Sequence, residues 1–176
     1  MEHCIALIRG INVGKAKRIA MADLRQLAAE LGGQDAVTVL NSGNLLCRYA
    51  STAALAADLE AGIAARFGFS ARVITLGADA LPAIIAGNPL RDIASNPSRL
   101  LVAFSAAPAA LQACHDLTER QTGTERLALG SHAAYFWSAD SILDSKLLQA
   151  FNQRTGDSVT TRNWATVLKL QQALAR

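Results

Sequence analysis

The chain has 176 residues, 51% of them apolar and 18% charged, with a formal charge of +3 and an isoelectric point near 9.0. That is enough apolar content for one compact domain or two small ones, and it excludes a disordered chain. The mild basicity permits an acidic partner but falls short of the clustered charge of a nucleic-acid footprint.

No apolar run approaches the ~18 residues that span a bilayer. The start, MEHCIALIRG, lacks the cationic leader and long apolar stretch of a targeting peptide, so a cytoplasmic protein without a membrane partner is expected. Cys4, Cys47 and Cys114 are far apart and odd in number, which fits buried reduced thiols better than disulfides or a zinc site. His3, His115 and His132 are isolated, so no metal and no cofactor is expected.

In chain order, HCIALIR (3–9) reads as a strand entering a Gly-rich loop. Leu24, Leu27, Ala28 and Leu31 then recur at helical spacing until Gly32-Gly33 stops the helix. Residues 36–49 read as a hairpin turning at Asn-Ser-Gly. Ser51 caps a second helix, ARVITL makes a fourth strand, and DALPAIIAG makes a short helix. Residues 88–98, NPLRDIASNPS, are the plausible linker.

The second half repeats the order. It has a strand over 99–105, a helix over 108–121 with Pro108 in its first turn, and a hairpin around Gly130-Ser131. A helix from Ser141 to Gly156, a short strand DSVTT and a closing helix NWATVLKLQQALA complete it. The expected fold is α/β in the α+β sense: duplicated ferredoxin-like β-α-β-β-α-β units with mainly antiparallel sheets and extra helices, over 1–88 and 99–176, packed as one compact protein.

In such a unit the first two strands run parallel with the third between them. The end of strand one and the strand two–three turn therefore share one end of the sheet. This makes neighbours of RGINVGKAKR (9–18) and NSGN (41–44). The candidate ligand-binding residues are Arg9, Gly10, Asn12, Gly14, Lys15, Ser42, Gly43 and Asn44, beside a helix N-terminus near Ala20–Asp23 that favours an anion. Arg162, Asn163 and Trp164 join them from TTRNWATVLKL, because Arg162 is expected in or just before the first turn of the last helix, an awkward place for a cation unless an anion offsets it. Thr161 or Asn163 would cap that helix.

Nucleotide hydrolysis is excluded on detail. Only three residues separate Gly10 from Gly14, and Ala16 stands where a phosphate loop needs a hydroxyl for magnesium. An RNA-recognition module stacks bases on aromatics of its first and third strands. Here those strands offer Tyr49 in the first half, and Phe104, Tyr135, Phe136 and Trp137 in the second, which read as packing residues. No general base can be assigned to Ser42, so no reaction is assigned.

The segments ALIRGINVGKAKRIAMADLRQLAAELG, NSGNLL and TTRNWATVLKL together resemble the bacterial family known as domain of unknown function sixteen-ninety-seven. Its members read like ALLRGINVGGKN with KMADLR, then QSGNV, and close with ARNWNTV-KL. The resemblance covers nearly the whole chain, in order. It implies a cytoplasmic protein with ferredoxin-like units and no established activity. Its motif positions fall on Arg9, Gly10, Asn12, Gly14, Ser42, Gly43, Asn44, Arg162, Asn163 and Trp164. Lys15 departs from a second glycine, Asn41 from Gln, and Ala165 from Asn.

The expected partner is a small anionic or phosphorylated ligand. Nucleic-acid binding, or a protein-interaction role without a small ligand, is the alternative, and the oligomeric state is left open.

Overall fold

The computed structural model describes residues 1–175. The first elements are β1 (Glu2–Ile8), α1 (Met21–Glu30), β2 (Gln34–Thr38), β3 (Asn44–Tyr49), α2 (Thr52–Phe67), β4 (Val73–Gly77) and α3 (Ala80–Ala86). They are followed by β5 (Leu100–Ser105), α4 (Pro108–Gln112), a 3₁₀ turn (His115–Arg120), β6 (Arg126–Leu129), β7 (Ala133–Trp137), α5 (Lys146–Thr155), β8 (Val159–Asn163) and α6 (Trp164–Leu174). The chain divides into two compact units, one formed by Met1–Leu81 with the segment beginning at Leu170, the other by Pro82–Lys169.

Each unit holds one four-stranded sheet, ordered β2-β3-β1-β4 in the first and β6-β7-β5-β8 in the second. Every neighbouring pair is antiparallel. Since β1 and β2 both run against β3, they run parallel to each other, as the duplicated ferredoxin-like pattern requires. The fold is that pattern, twice.

In the first unit Cys4, Ala6 and Ile8 alternate along β1 toward a core completed by Leu24, Leu27 and Ala28 of α1 and by Leu55, Leu59 and Ile63 of α2. The 4-residue spacing on α2 keeps one face buried, and each such aliphatic side chain contributes roughly 1.5–3 kcal/mol of burial. Ser51 caps α2 by accepting from the Ala54 N–H at 3.2 Å, and Gly68 ends it in the left-handed region at φ 75°. The Tyr49 hydroxyl lies 2.8 Å from the Leu31 carbonyl and 2.7 Å from Asp58 Oδ2, tying β3 to both helices.

The second unit packs Leu111, Cys114, Leu117, Leu147 and Phe151 against Ala103, Ala134, Phe136 and Val159. The continuous helix expected over 108–121 is instead α4 followed by the 3₁₀ turn. Leu111, Cys114 and Leu117 are all buried at steps of three. That period lines up on a 3₁₀ helix, where i and i+3 eclipse, and drifts around an α-helix. The helix expected from Ser141 begins only at Lys146, because the Ser145 side chain caps it by accepting from the Leu148 N–H at 2.9 Å.

Candidate functional site

β1 ends at Ile8, and residues 9–20 carry the chain to α1. The backbone is left-handed at Gly10 (φ 70°), Asn12 (57°), Gly14 (68°) and Lys17 (49°). For a non-glycine residue that conformation costs roughly 1–2 kcal/mol, and at Asn12 the side chain offsets it. Asn12 Oδ1 accepts from the Ile19 N–H at 2.9 Å, and Nδ2 donates to the Ile19 carbonyl at 2.9 Å and to the Asn41 carbonyl at 2.7 Å. Its own N–H donates to the Lys17 carbonyl at 3.0 Å. Asn12 thus closes the loop on itself and fastens it to the turn before β3. Ile11 and Ile19, both buried, root the loop in the core.

The turn is built just as firmly. Asn44 is fully buried, and its Nδ2 donates to the Val39 carbonyl at 2.8 Å and to Ser42 Oγ at 2.9 Å. The Ile8 N–H donates to the Gly43 carbonyl at 2.8 Å. Gly43 has φ +78°, and a Cβ there would lie 2.8 Å from Ile11 Cδ1 and 3.1 Å from Ile8 Cβ, so only glycine lets the turn lie against the loop.

The Asn12–Asn41 and Ile8–Gly43 hydrogen bonds and the approach of Gly43 to Ile11 bring the loop that carries Arg9, Gly10, Asn12, Gly14 and Lys15 against the turn that carries Ser42, Gly43 and Asn44, at one end of the first sheet. Asn12, Gly43 and Asn44 hold the two segments together. Arg9, Lys15 and Ser42 are exposed. Lys17 Nζ donates to the Ser70 carbonyl at 3.0 Å, and Arg18 Nη1 to the Gly14 carbonyl at 3.2 Å. Among the described residues, the Arg9 and Lys15 side chains make no hydrogen bond or ion pair. The loop leads into α1, whose N-cap Ala20 makes no side-chain cap, which leaves its first N–H groups without a side-chain partner.

Arg162, Asn163 and Trp164 lie in the second unit, at the junction of β8 and α6. The strand expected to stop at Thr161 runs on to Asn163 because Val102 pairs with Arg162 and Leu101 with Asn163. Arg162 is therefore a strand residue just before the helix, the second of the two places expected for it. It is 9% exposed, and its Nη1 donates to Thr160 Oγ1 and the Thr161 carbonyl, each at 2.9 Å. Burial pulls its pKa down to about 10, which still leaves a cation at neutral pH. Asn163 Oδ1 accepts from the Thr166 N–H and Oγ1, each at 2.9 Å, and so caps α6. The Trp164 N–H donates to the Pro97 carbonyl at 3.1 Å.

Two residues of the site end were not singled out in the sequence. Leu40 sits in the left-handed region at φ 59° and is 44% exposed, and Val13 is 76% exposed. Val13 was a sequence neighbour of the motif residues, whereas Leu40 carried no signal, since leucine is not a residue that selects positive φ.

The five aromatic rings of the first and third strands (Tyr49, Phe104, Tyr135, Phe136 and Trp137) are all buried. The Tyr135 hydroxyl donates to the Ile84 carbonyl at 2.7 Å. All three cysteines are free and buried. Desolvation pushes their thiols up, to about 11 at Cys47, away from the thiolate that reacts. No helix among the described residues is long and apolar enough to cross a membrane.

A pair of ferredoxin-like units with a pinned, basic, glycine-containing loop is the class these features define. The family model described as Protein of unknown function (DUF1697) matches residues 1–135, and the chain belongs to that family. The match takes in the loop and the Asn-Ser-Gly-Asn turn and stops before Arg162. Among solved structures, the conserved bacterial protein SP0830 from Streptococcus pneumoniae is similar over 98% of each chain, at 25% identity and a TM-score of 0.79. No curated protein matches.

Proposed function

We propose that this is a cytoplasmic protein that binds a small anionic or phosphorylated ligand at the loop–turn pair of its first unit. One observation carries the reading. The polar residues Asn12 and Asn44 are consumed in fixing the two segments, while the Arg9 and Lys15 side chains are displayed with no partner among the described residues. A rigid base holding two uncompensated cations is preorganised for an anion and loses little entropy on binding. Ser42 supplies a hydroxyl.

Nucleic-acid binding through the same loop is the less favoured reading, because the rings a base would stack on are buried.

A thermal-shift series with inorganic phosphate, sugar phosphates and short oligonucleotides tests the proposal, at ~50 and ~200 mM salt. A ligand at a hundredfold excess over its Kd stabilises the folded state by about 2.7 kcal/mol. The expected result is a shift with phosphate compounds that is lost in Arg9→Ala and in Lys15→Ala. No shift with any compound would remove the proposal. A shift with oligonucleotides alone, falling steeply with salt, would replace it with the nucleic-acid reading.

A further inference from the structure

Resting on that reading, we infer the ligand's chemical class: a phosphate monoester whose ester group is apolar or aromatic, rather than bare phosphate or a sugar phosphate. The inference comes from the two side chains of the site end that have no structural explanation.

Leu40 occupies a left-handed backbone position at φ 59°, where Asn, Asp or Gly would be less strained. It is not there for the core, since it is 44% exposed, and Val13 beside Gly14 is 76% exposed. Each adjoins one end of the 2.7 Å hydrogen bond from Asn12 Nδ2 to the Asn41 carbonyl, since Val13 follows Asn12 and Leu40 precedes Asn41 in the chain. Single exposed apolar residues are commonplace. Two of them flanking one interloop clip, on a loop–turn pair that also carries the exposed Arg9 and Lys15, make its surface amphiphilic.

A bare anion would satisfy Arg9 and Lys15 and leave both apolar tips in water. A polyol phosphate would set hydroxyl groups against them. An aryl or nucleoside-like group on the phosphate would cover them and lose water from both surfaces. Charge complementarity selects the anionic end, and the two tips select what is attached to it. The small size of the tips favours a single ring system over an extended surface.

Calorimetric titrations with phenyl phosphate, adenosine 5′-monophosphate and glycerol 3-phosphate test this, using wild type, Val13→Ser, Leu40→Asn and Lys15→Ala. Phenyl phosphate and adenosine 5′-monophosphate are expected to bind about tenfold more tightly than glycerol 3-phosphate, equivalent to about 1.4 kcal/mol. Val13→Ser and Leu40→Asn should erase that preference by weakening phenyl phosphate and adenosine 5′-monophosphate without weakening glycerol 3-phosphate. Lys15→Ala should weaken all three. Leu40→Asn relieves backbone strain, so it keeps the protein folded while removing the apolar tip.

Equal affinity for the three compounds would overturn the inference and leave the anion site standing. Binding of none of them would remove both. Binding only to phosphatidylglycerol vesicles, lost in Val13→Ser, would overturn it in favour of a lipid surface.

Discussion

The two units share a strand order but differ at the end of the sheet that carries the proposed site. In the first, β1 leads into α1 through the twelve residues 9–20, clipped by Asn12, and β2 leads into β3 through the stapled turn at 39–43. In the second, β5 ends at Ser105 and α4 begins at Pro108, while β6 and β7 are joined by Gly130, Ser131 and His132 alone. The topology needs only the short version of each connection. The longer loop in the first unit, with its four left-handed residues, is an elaboration the fold does not require. Function is carried by sites grafted on folds rather than by the fold, and the second unit shows what this fold looks like with short connections alone.

Paired substitutions in the two units break or sharpen that contrast. The largest effect is expected at Gly43, where a methyl group would meet Ile11 and Ile8 at φ +78°. Gly43→Ala should cost about 2–4 kcal/mol by urea denaturation, from backbone strain and overpacking together. Gly123→Ala in the second unit, at φ +55° with nothing within 4 Å, should cost only about 1 kcal/mol. Equal losses would mean that the loop–turn contact is not tight.

Next are the two asparagines. Asn12→Ala removes three side-chain hydrogen bonds and should cost about 1–3 kcal/mol, with faster hydrogen exchange at the Ile19 amide. Asn163→Ala removes the cap of α6 and should cost about 0.5–2 kcal/mol. Only Asn12→Ala should also weaken phosphate binding. A weakening by Asn163→Ala of the same size would contradict the assignment of the site to the first unit's loops.

The smallest effect is electrostatic and belongs to the second unit. Asp116 pairs with Arg154 and, at 3.0 Å, with Arg120. The hydrogen bond from Arg154 holds its carboxyl below the usual range, aided by both guanidinium charges. A carboxylate whose pKa is lower folded than unfolded adds stability above the unfolded value, ~3.9, and loses it as the pH falls through the folded value. Asp116 is well exposed, so the contribution is small. Wild type should exceed Asp116→Asn slightly at neutral pH, and the two should converge in acid denaturation as the carboxylate is protonated in the folded state. A gap that widens on acidification would reverse the sign.

Much of this was legible in the sequence for definite reasons. The hairpin at 36–49 and the helical repeat of Leu24, Leu27 and Ala28 each report one local period, and the crossover rule then places the basic loop beside the Asn-Ser-Gly-Asn turn. What was not legible is the direction in which polar side chains point. Asn12 and Asn44 read in the sequence as donors to a ligand, and their amides turn inward to main-chain carbonyls. A lone loop asparagine gives no sign of whether it serves the backbone or a partner. The step-of-three pattern of Leu111, Cys114 and Leu117 was present in the letters, but an α-helix absorbs a third-residue repeat well enough to hide the break. Arg162 lies just before the last helix, one of the two places the sequence allowed it, and what the letters hid is that β8 extends through Arg162 and Asn163.

The first unit takes residues from before and after the second, since the segment beginning at Leu170 belongs with Met1–Leu81. Leu170 is fully buried, and Ala173 and Leu174 line a cavity with His3, Leu46 and Arg48 of β1 and β3. On the ribosome, the strands that frame the basic loop emerge early and wait for that segment until all of residues 82–169 have been translated. Domains whose residues are contiguous can fold as they appear. Here the unit that starts first is completed only after its neighbour has been synthesised.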